Sequence, residues 1–175
     1  MSERKTILYI AVSLDGYIAG PNDDLGFLSM VEQEGEDYGY GEFLNTVDTV
    51  ILGRKTYDWI MNQVPVFPHI DLTTFVITRS ARPSIGKISF YTGNLRNLIL
   101  QLKSDKGKHI FIDGGAQITH ELLKEQFIDE MIISVIPVLL GNGIRLFKDG
   151  RPEQKLTLLS AKQFKTGLTQ LHYTL

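Results

Sequence analysis

Val50-Ile51-Leu52-Gly53-Arg54-Lys55-Thr56-Tyr57 carries the chain from an apolar run through one glycine into two cations and a hydroxyl. The run 47–52 is rich in Val and Leu without clean alternation, the pattern of a strand covered on both faces. Tyr57, Ile60 and Met61 then fall at helical offsets, so the stretch reads as a buried strand delivering Gly53 to the first turn of a helix. Unpaired N–H groups point outward from such a turn, and the aligned peptide dipoles favour an anion there. Arg54 and Lys55 add positive charge, and an arginine offers phosphate a planar, two-pronged contact. A glycine turn followed by solvated cations accounts for the same letters, so both readings stand on this stretch alone.

The same alternation extends in both directions. Thr6–Ser13, 72–78, 109–112 and Glu130–Ile136 are further short apolar runs, the first ending at the turn dipeptide Asp15-Gly16. Between them, Leu95, Leu98, Ile99 and Leu102, and then Ile118, Leu122 and Leu123, keep helical spacing. Strands alternating with single helices predict an α/β fold: a mostly parallel central sheet with helices on both faces. The rhythm changes at the end, where 156–164 and 168–175 flank Lys165-Thr166-Gly167 and read as an antiparallel hairpin closing one edge of the sheet. The polar, glycine-bearing stretch 32–41 is too short to separate two domains, so residues 1–175 are expected to form one.

Two more junctions repeat the chemistry of the first. His109-Ile110-Phe111-Ile112-Asp113-Gly114-Gly115-Ala116-Gln117 passes from strand to helix through two glycines. Glycine lets a ligand approach the backbone closely. Asp113 is read either as a polar ligand to a sugar or as the residue anchoring the turn. Thr78-Arg79-Ser80 ends another strand at the carboxyl edge, the usual ligand side of an α/β sheet. One extended dinucleotide would span all three, although the G-x-G-x-x-G spacing of a Rossmann domain is missing. Glu32, Glu34, Glu36, Asp37 and Glu42 form an acidic cluster, read mainly as a solvated face in which a buried member would serve as an acid.

Composition removes other classes. With 175 residues, 43% hydrophobic, the chain has enough apolar content for a continuous core. Eighteen Lys and Arg against 20 Asp and Glu give no electrostatic reason to expect nucleic acid or an anionic membrane as partner. No apolar run approaches the roughly 20 residues of a membrane span, no signal peptide is visible at Met1-Ser2-Glu3-Arg4-Lys5, and a cytoplasmic setting is expected. Cysteine is absent, which removes thiolate nucleophiles and Cys-ligated zinc, and the four histidines lack H-x-x-x-H spacing, so no metal is expected. A G-x-S-x-G elbow is missing as well.

Ala11-Val12-Ser13-Leu14-Asp15-Gly16-Tyr17-Ile18-Ala19, the Gly53 to Thr56 junction and Asp113-Gly114-Gly115 together resemble the dihydrofolate-reductase superfamily. The block from Asp129-Glu130 through Pro137-Val138-Leu139-Leu140-Gly141-Asn142-Gly143 to Leu146-Phe147 resembles the C-terminal reductase domain of riboflavin biosynthesis (RibD) in particular. The resemblance implies a dihydrofolate-reductase-like three-layer α/β/α fold with NADPH across the carboxyl edge of the sheet. Gly53, Arg54, Lys55 and Thr56 would meet its phosphates. Thr78, Arg79 and Ser80 would select the 2′-phosphate, and Gly114, Gly115, Ala116 and Gln117 would take the other side, with the Gly-Gly bond commonly cis. Ala11 and Ile18 would flank the nicotinamide, while Asp15, Ser134, Leu140 and Gly141 fall on the substrate side. Asp37 and Asp113 are the candidate acids.

Hydride transfer to a pterin-like or aminopyrimidine substrate follows from the resemblance, with reduction of 5-amino-6-(5-phosphoribosylamino)uracil as its most specific form. Dihydrofolate reduction, or NADPH binding without turnover, are the alternatives. The family also implies a homodimer, for which the terminal hairpin and 137–147 are the candidate contacts. Three departures stand out. The Trp and Leu-Pro pair that precede the pterin carboxylate in dihydrofolate reductases are missing from 21–30. Tyr9 stands where riboflavin reductases usually have Lys, and their D-x-P-x-L-T-x-R segment is missing.

Overall fold

The computed structural model describes residues 4–175. Met1, Ser2 and Glu3, which fall in the stretch read above as showing no signal peptide, lie outside the described residues. One eight-stranded sheet carries the molecule, in the order β5-β4-β3-β6-β1-β7-β10-β9. Its strands are β1 (Thr6–Ser13), β3 (Val47–Gly53), β4 (Thr73–Ile77), β5 (Ile88–Tyr91), β6 (His109–Gly114), β7 (Glu130–Ile136), β9 (Thr157–Gln163) and β10 (Thr169–Thr174). The six strands from β5 to β7 are parallel, and the β9-β10 hairpin adds antiparallel to β7, as the sequence predicts.

Helices α1 (Tyr40–Leu44) and α2 (Arg54–Gln63) cover one face, and α3 (Leu95–Ser104) and α4 (Ala116–Lys124) cover the other. The period of two decides which side chain serves which layer. Ile7 joins Phe111, Val50 and Leu52 under α1 and α2, whereas Leu8 and Val12 join Ile110 and Ile112 under α3 and α4. Packing dominates the helix energetics. In α3, burial of Leu98, Ile99 and Leu102 is worth roughly 5–9 kcal/mol before entropy is charged. Its N-cap, Asn94 accepting from the Asn97 N–H at 3.2 Å, adds only about 1 kcal/mol.

The structure corrects the strand bounds and adds three strands. β4 excludes Leu72 and Thr78, because the Thr78 hydroxyl turns the chain by accepting from the Ser80 N–H at 3.2 Å. β5 escapes the sequence reading because it has four residues and buries only Ile88 below the half-covered level of the rest. β2 (Tyr17–Ala19) and β8 (Ile144–Arg145) escape it because they are still shorter and pair across more than 120 residues. Gly143 makes that second small sheet possible, since a Cβ there would come within 2.1 Å of the Ala19 carbonyl oxygen. Among the described residues, no helix is long and apolar enough to cross a membrane.

Candidate active site

Three predicted junctions meet at one place. β3 pairs with β4 on one side (Gly53 opposite Ile77) and with β6 on the other (Leu52 opposite Gly114), so their carboxyl ends lie next to one another. α2 and α4 start there, at Gly53 and Gly115, and neither start has a side-chain cap. Their first N–H groups are left for an outside acceptor. The glycines also permit close approach: a Cβ at Gly115 would stand 3.0 Å from the Thr56 hydroxyl oxygen, and one at Gly53 would stand 3.4 Å from Ile118. The Gly114–Gly115 peptide is cis, as the resemblance implies.

Cations surround this edge. Arg54, Lys55 and Arg79 are exposed, as is Ser80. Arg82, which the sequence reading missed, forks onto Asp58 of α2 at 2.8 and 3.3 Å, and that carboxylate also lies 3.9 Å from Arg54. Ala116 is buried at the start of α4. The Gln117 side chain is spent on the surface, bridging Glu121 and Lys148 at 2.8 Å each, which leaves only its backbone for the junction.

A cavity of about 530 Å³ opens beside these junctions, over β1 and β7. Ala11, Ser134 and Ile136 line it from the sheet, and Leu28 and Val31 line it from a short 3-10 helix, Gly26–Val31. Tyr9, Tyr38 and Tyr40 supply aromatic wall, and Glu32, Glu34, Glu36 and Asp37, all exposed, supply the rim. Beneath it the Gln170 amide nitrogen reaches the Tyr9 hydroxyl at 3.0 Å and the Ser134 hydroxyl and Tyr38 carbonyl at 3.1 Å each. Burial pushes the Tyr9 phenol up, opposed by its contact with Gln170. Ile18 packs half-buried against the core under α3 and α4.

The two candidate acids separate. Asp37 accepts from the Gly39 N–H at 2.9 Å and the Gly41 N–H at 3.0 Å, and those bonds hold its carboxyl below the usual carboxylate range. It is therefore an ionised acceptor at the start of α1, a state that does not suit a proton donor. Asp113 lies 3.7 Å from Nε2 of the buried His69, and that nitrogen is 3.2 Å from the Tyr40 hydroxyl. Burial, then the Asp113 charge, raises the Tyr40 phenol and keeps it protonated. Sequence reasoning missed His69, Tyr40 and Gln170, which are brought to this face only by folding.

Asp15, Leu140 and Gly141 do come together, as a clamp. The Asp15 carboxylate accepts from the Ser13 hydroxyl at 2.6 Å, the Leu140 N–H at 3.1 Å and the Gly141 N–H at 2.7 Å. Chiefly through Ser13, its pKa falls to about 2. Its acceptor sites are used in holding 13–17 to 140–141, so what it contributes at the site is loop position.

A sheet with this strand order, two uncapped helix starts on adjacent strands and a tyrosine-walled cavity next to them defines a dihydrofolate-reductase-like domain. Within that class, the chain belongs to the RibD C-terminal domain family, whose family model matches residues 4–170. The uncharacterized protein YwjB of Bacillus subtilis (strain 168) is 48% identical over 172 residues, 98% of each chain. A second protein of the same organism, YyaP, is 29% identical over 99% of this chain and 96% of its own. Among solved structures, a Shewanella sp. PV-4 protein whose name ties it to riboflavin biosynthesis superposes with a TM-score of 0.89 at 29% identity, covering 97% of this chain and 98% of that one. The deaminase/5-amino-6-(5-phosphoribosylamino)uracil reductase of Thermotoga maritima shares the fold, with a TM-score of 0.73 at 14% identity. The match covers 98% of this chain and 56% of the Thermotoga chain.

Proposed function

We propose that the protein is an NADPH-dependent reductase acting on a pterin-like or aminopyrimidine heterocycle, in the manner of the riboflavin-pathway reductases. The observation that carries this reading is the difference among helix starts on one sheet edge. α3 is capped by its own Asn94, whereas α2 and α4, side by side, begin on glycine with no side-chain cap. Phosphate oxygens are the acceptors that suit such a pair. Gly53, Thr56, Gly114 and Gly115 would hold the diphosphate, with Arg54 and Lys55 around it. Arg79 and Ser80, beside Thr78, would take the 2′-phosphate that distinguishes NADPH from NADH. Bound there, NADPH supplies a hydride.

The chain's own residues orient the acceptor and move the proton. The cavity over Ala11 and Ser134 would hold the heterocycle, and the protonated Tyr40 hydroxyl on its wall would return the proton and be reprotonated from water, with Nε2 of His69 3.2 Å from it. Asp113 lies 3.7 Å from that same nitrogen, beyond a hydrogen bond, and acts on the pair through its charge as a positioning residue. The homodimer implied by the family would use the β9 edge of the sheet, where Leu158 and Leu159 are each about half exposed.

Thermal denaturation with NADPH, with NADH and with neither tests the cofactor. A ligand at about 100 times its Kd stabilises the native state by about 2.7 kcal/mol, a displacement readily visible at this size. The expected result is a clear shift with NADPH and a smaller one with NADH at equal concentration. No shift with either removes the reductase reading and leaves the fold standing.

A further inference from the structure

We infer that the heterocycle this site accepts is unphosphorylated, neutral or cationic, which sets the protein apart from reductases of phosphoribosyl compounds. The inference rests on the reductase reading only in placing the substrate over β1 and β7; the cavity itself argues the rest.

A phosphoryl group is held by cations and N–H donors. Among the described residues no Lys, Arg or His lines this cavity, while Glu32, Glu34, Glu36 and Asp37 all do, and of its side chains only Gln33 on the exposed rim carries amide N–H donors with no partner. Backbone donors at the mouth are already committed to the protein's own anions. Asp37 takes the Gly39 and Gly41 N–H groups at the start of α1, and Glu36 takes the Tyr38 N–H at 2.8 Å. An incoming phosphate would have to displace both carboxylates and then sit beside them. At the opposite end of the sheet edge the helix starts are uncapped and the exposed side chains are basic, so the molecule has a place for phosphate, and it is not this one.

The floor says what is read instead. Ser134 is 5% exposed, lines the cavity, accepts from the Gln170 amide and hydrogen-bonds the Tyr9 phenol, so the floor is a linked set of hydroxyls and one amide. A hydroxyl proton in such a set can rotate toward an acceptor on a ligand. A ring nitrogen or carbonyl of an amino-heterocycle supplies one, and the tyrosine walls suit its flat faces. Amino or hydroxyl substituents would then project toward the carboxylates of the rim.

The test uses 5-amino-6-ribitylaminouracil and its 5′-phosphate, two compounds that differ only in the phosphoryl group, titrated calorimetrically into the full chain holding NADP+. The expected result at low salt is tighter binding of the unphosphorylated compound by about tenfold, the scale of a few carboxylates acting through water at 8–10 Å. The gap should narrow severalfold in 0.5 M salt, and again in the double variant Glu32→Gln, Glu34→Gln at low salt. Equal or tighter binding of the phosphate overturns the inference, as does failure of both compounds to bind. A thermal shift with NADPH on the same sample separates the two proposals. If the unphosphorylated compound binds and NADPH does not, the reductase reading falls while the specificity of the cavity stands.

Discussion

The two ends of the candidate site, one over β4, β3 and β6 and the other over β1 and β7, treat helix starts in opposite ways. Over β3 and β6 the chain spends glycine at both caps and leaves the N–H groups of α2 and α4 open among Arg54, Lys55 and Arg79. Over β1 and β7 it places Asp37 on the start of α1 and surrounds the opening with further carboxylates. The same backbone device becomes an anion receptor or an anion-repelling mouth according to whether the protein supplies its own acceptor. A ligand with phosphates at one end only is oriented by that difference before any shape is read.

The comparison breaks most sharply at Gly115. Its φ of −84° suits any residue, so Gly115→Val acts through volume against Thr56. NADPH affinity should fall about a hundredfold or more, read as loss of the thermal shift. Stability should drop by about 1–3 kcal/mol, as overpacking does elsewhere, and circular dichroism should show a folded protein. Unchanged NADPH binding would mean that the cofactor does not cross between α2 and α4.

Arg79→Ala should act on cofactor choice alone. Removing a charged hydrogen bond worth about 1.5–3 kcal/mol lowers the preference for NADPH over NADH by roughly tenfold or somewhat more, with NADH binding left intact. Loss of both cofactors in parallel would place Arg79 elsewhere than at the 2′-phosphate. At the other end, Ser134→Ala should weaken 5-amino-6-ribitylaminouracil about threefold to tenfold in calorimetry and leave the NADPH shift in place, so that the two ends respond independently.

The smallest effect concerns Asp15, which ties the loops around the cavity. Its folded pKa of about 2 lies below the roughly 3.9 of an unfolded aspartate. The depressed value means that its contribution is fully present above pH 4 and is lost as pH falls toward 2. Urea midpoints of the native chain and of Asp15→Asn should therefore differ above pH 4 and converge by pH 2. A constant difference across that range would show that the clamp owes nothing to the charge.

Much of the glycine-junction end was legible because each piece is continuous in sequence. A strand, a glycine and a helix follow one another at Gly53 and again at Gly115, and the β-α alternation predicts that both reach one edge. The other end is assembled from residues that share no sequence neighbourhood. Tyr9, Tyr40, His69, Asp113, Ser134 and Gln170 lie on β1, α1, a loop, β6, β7 and β10, and nothing local marks any of them as partners. Asp37 shows the converse. Read as a candidate acid, it turned out to be the acceptor for a helix start, because which N–H groups a carboxylate meets depends on the turn that follows it.

Local periodicity and turn chemistry by themselves determined the α/β class, the parallel order of events along the chain, the terminal hairpin and the glycine junctions, since these depend on neighbours within about ten residues. The tertiary structure decided the pairing of β2 with β8, the clamp of Asp15 on Leu140 and Gly141, and the acidic, tyrosine-walled cavity. Those features arise where segments distant in sequence converge, and only the packed sheet fixes which of their hydrogen-bonding groups are spent on the protein and which remain for a ligand.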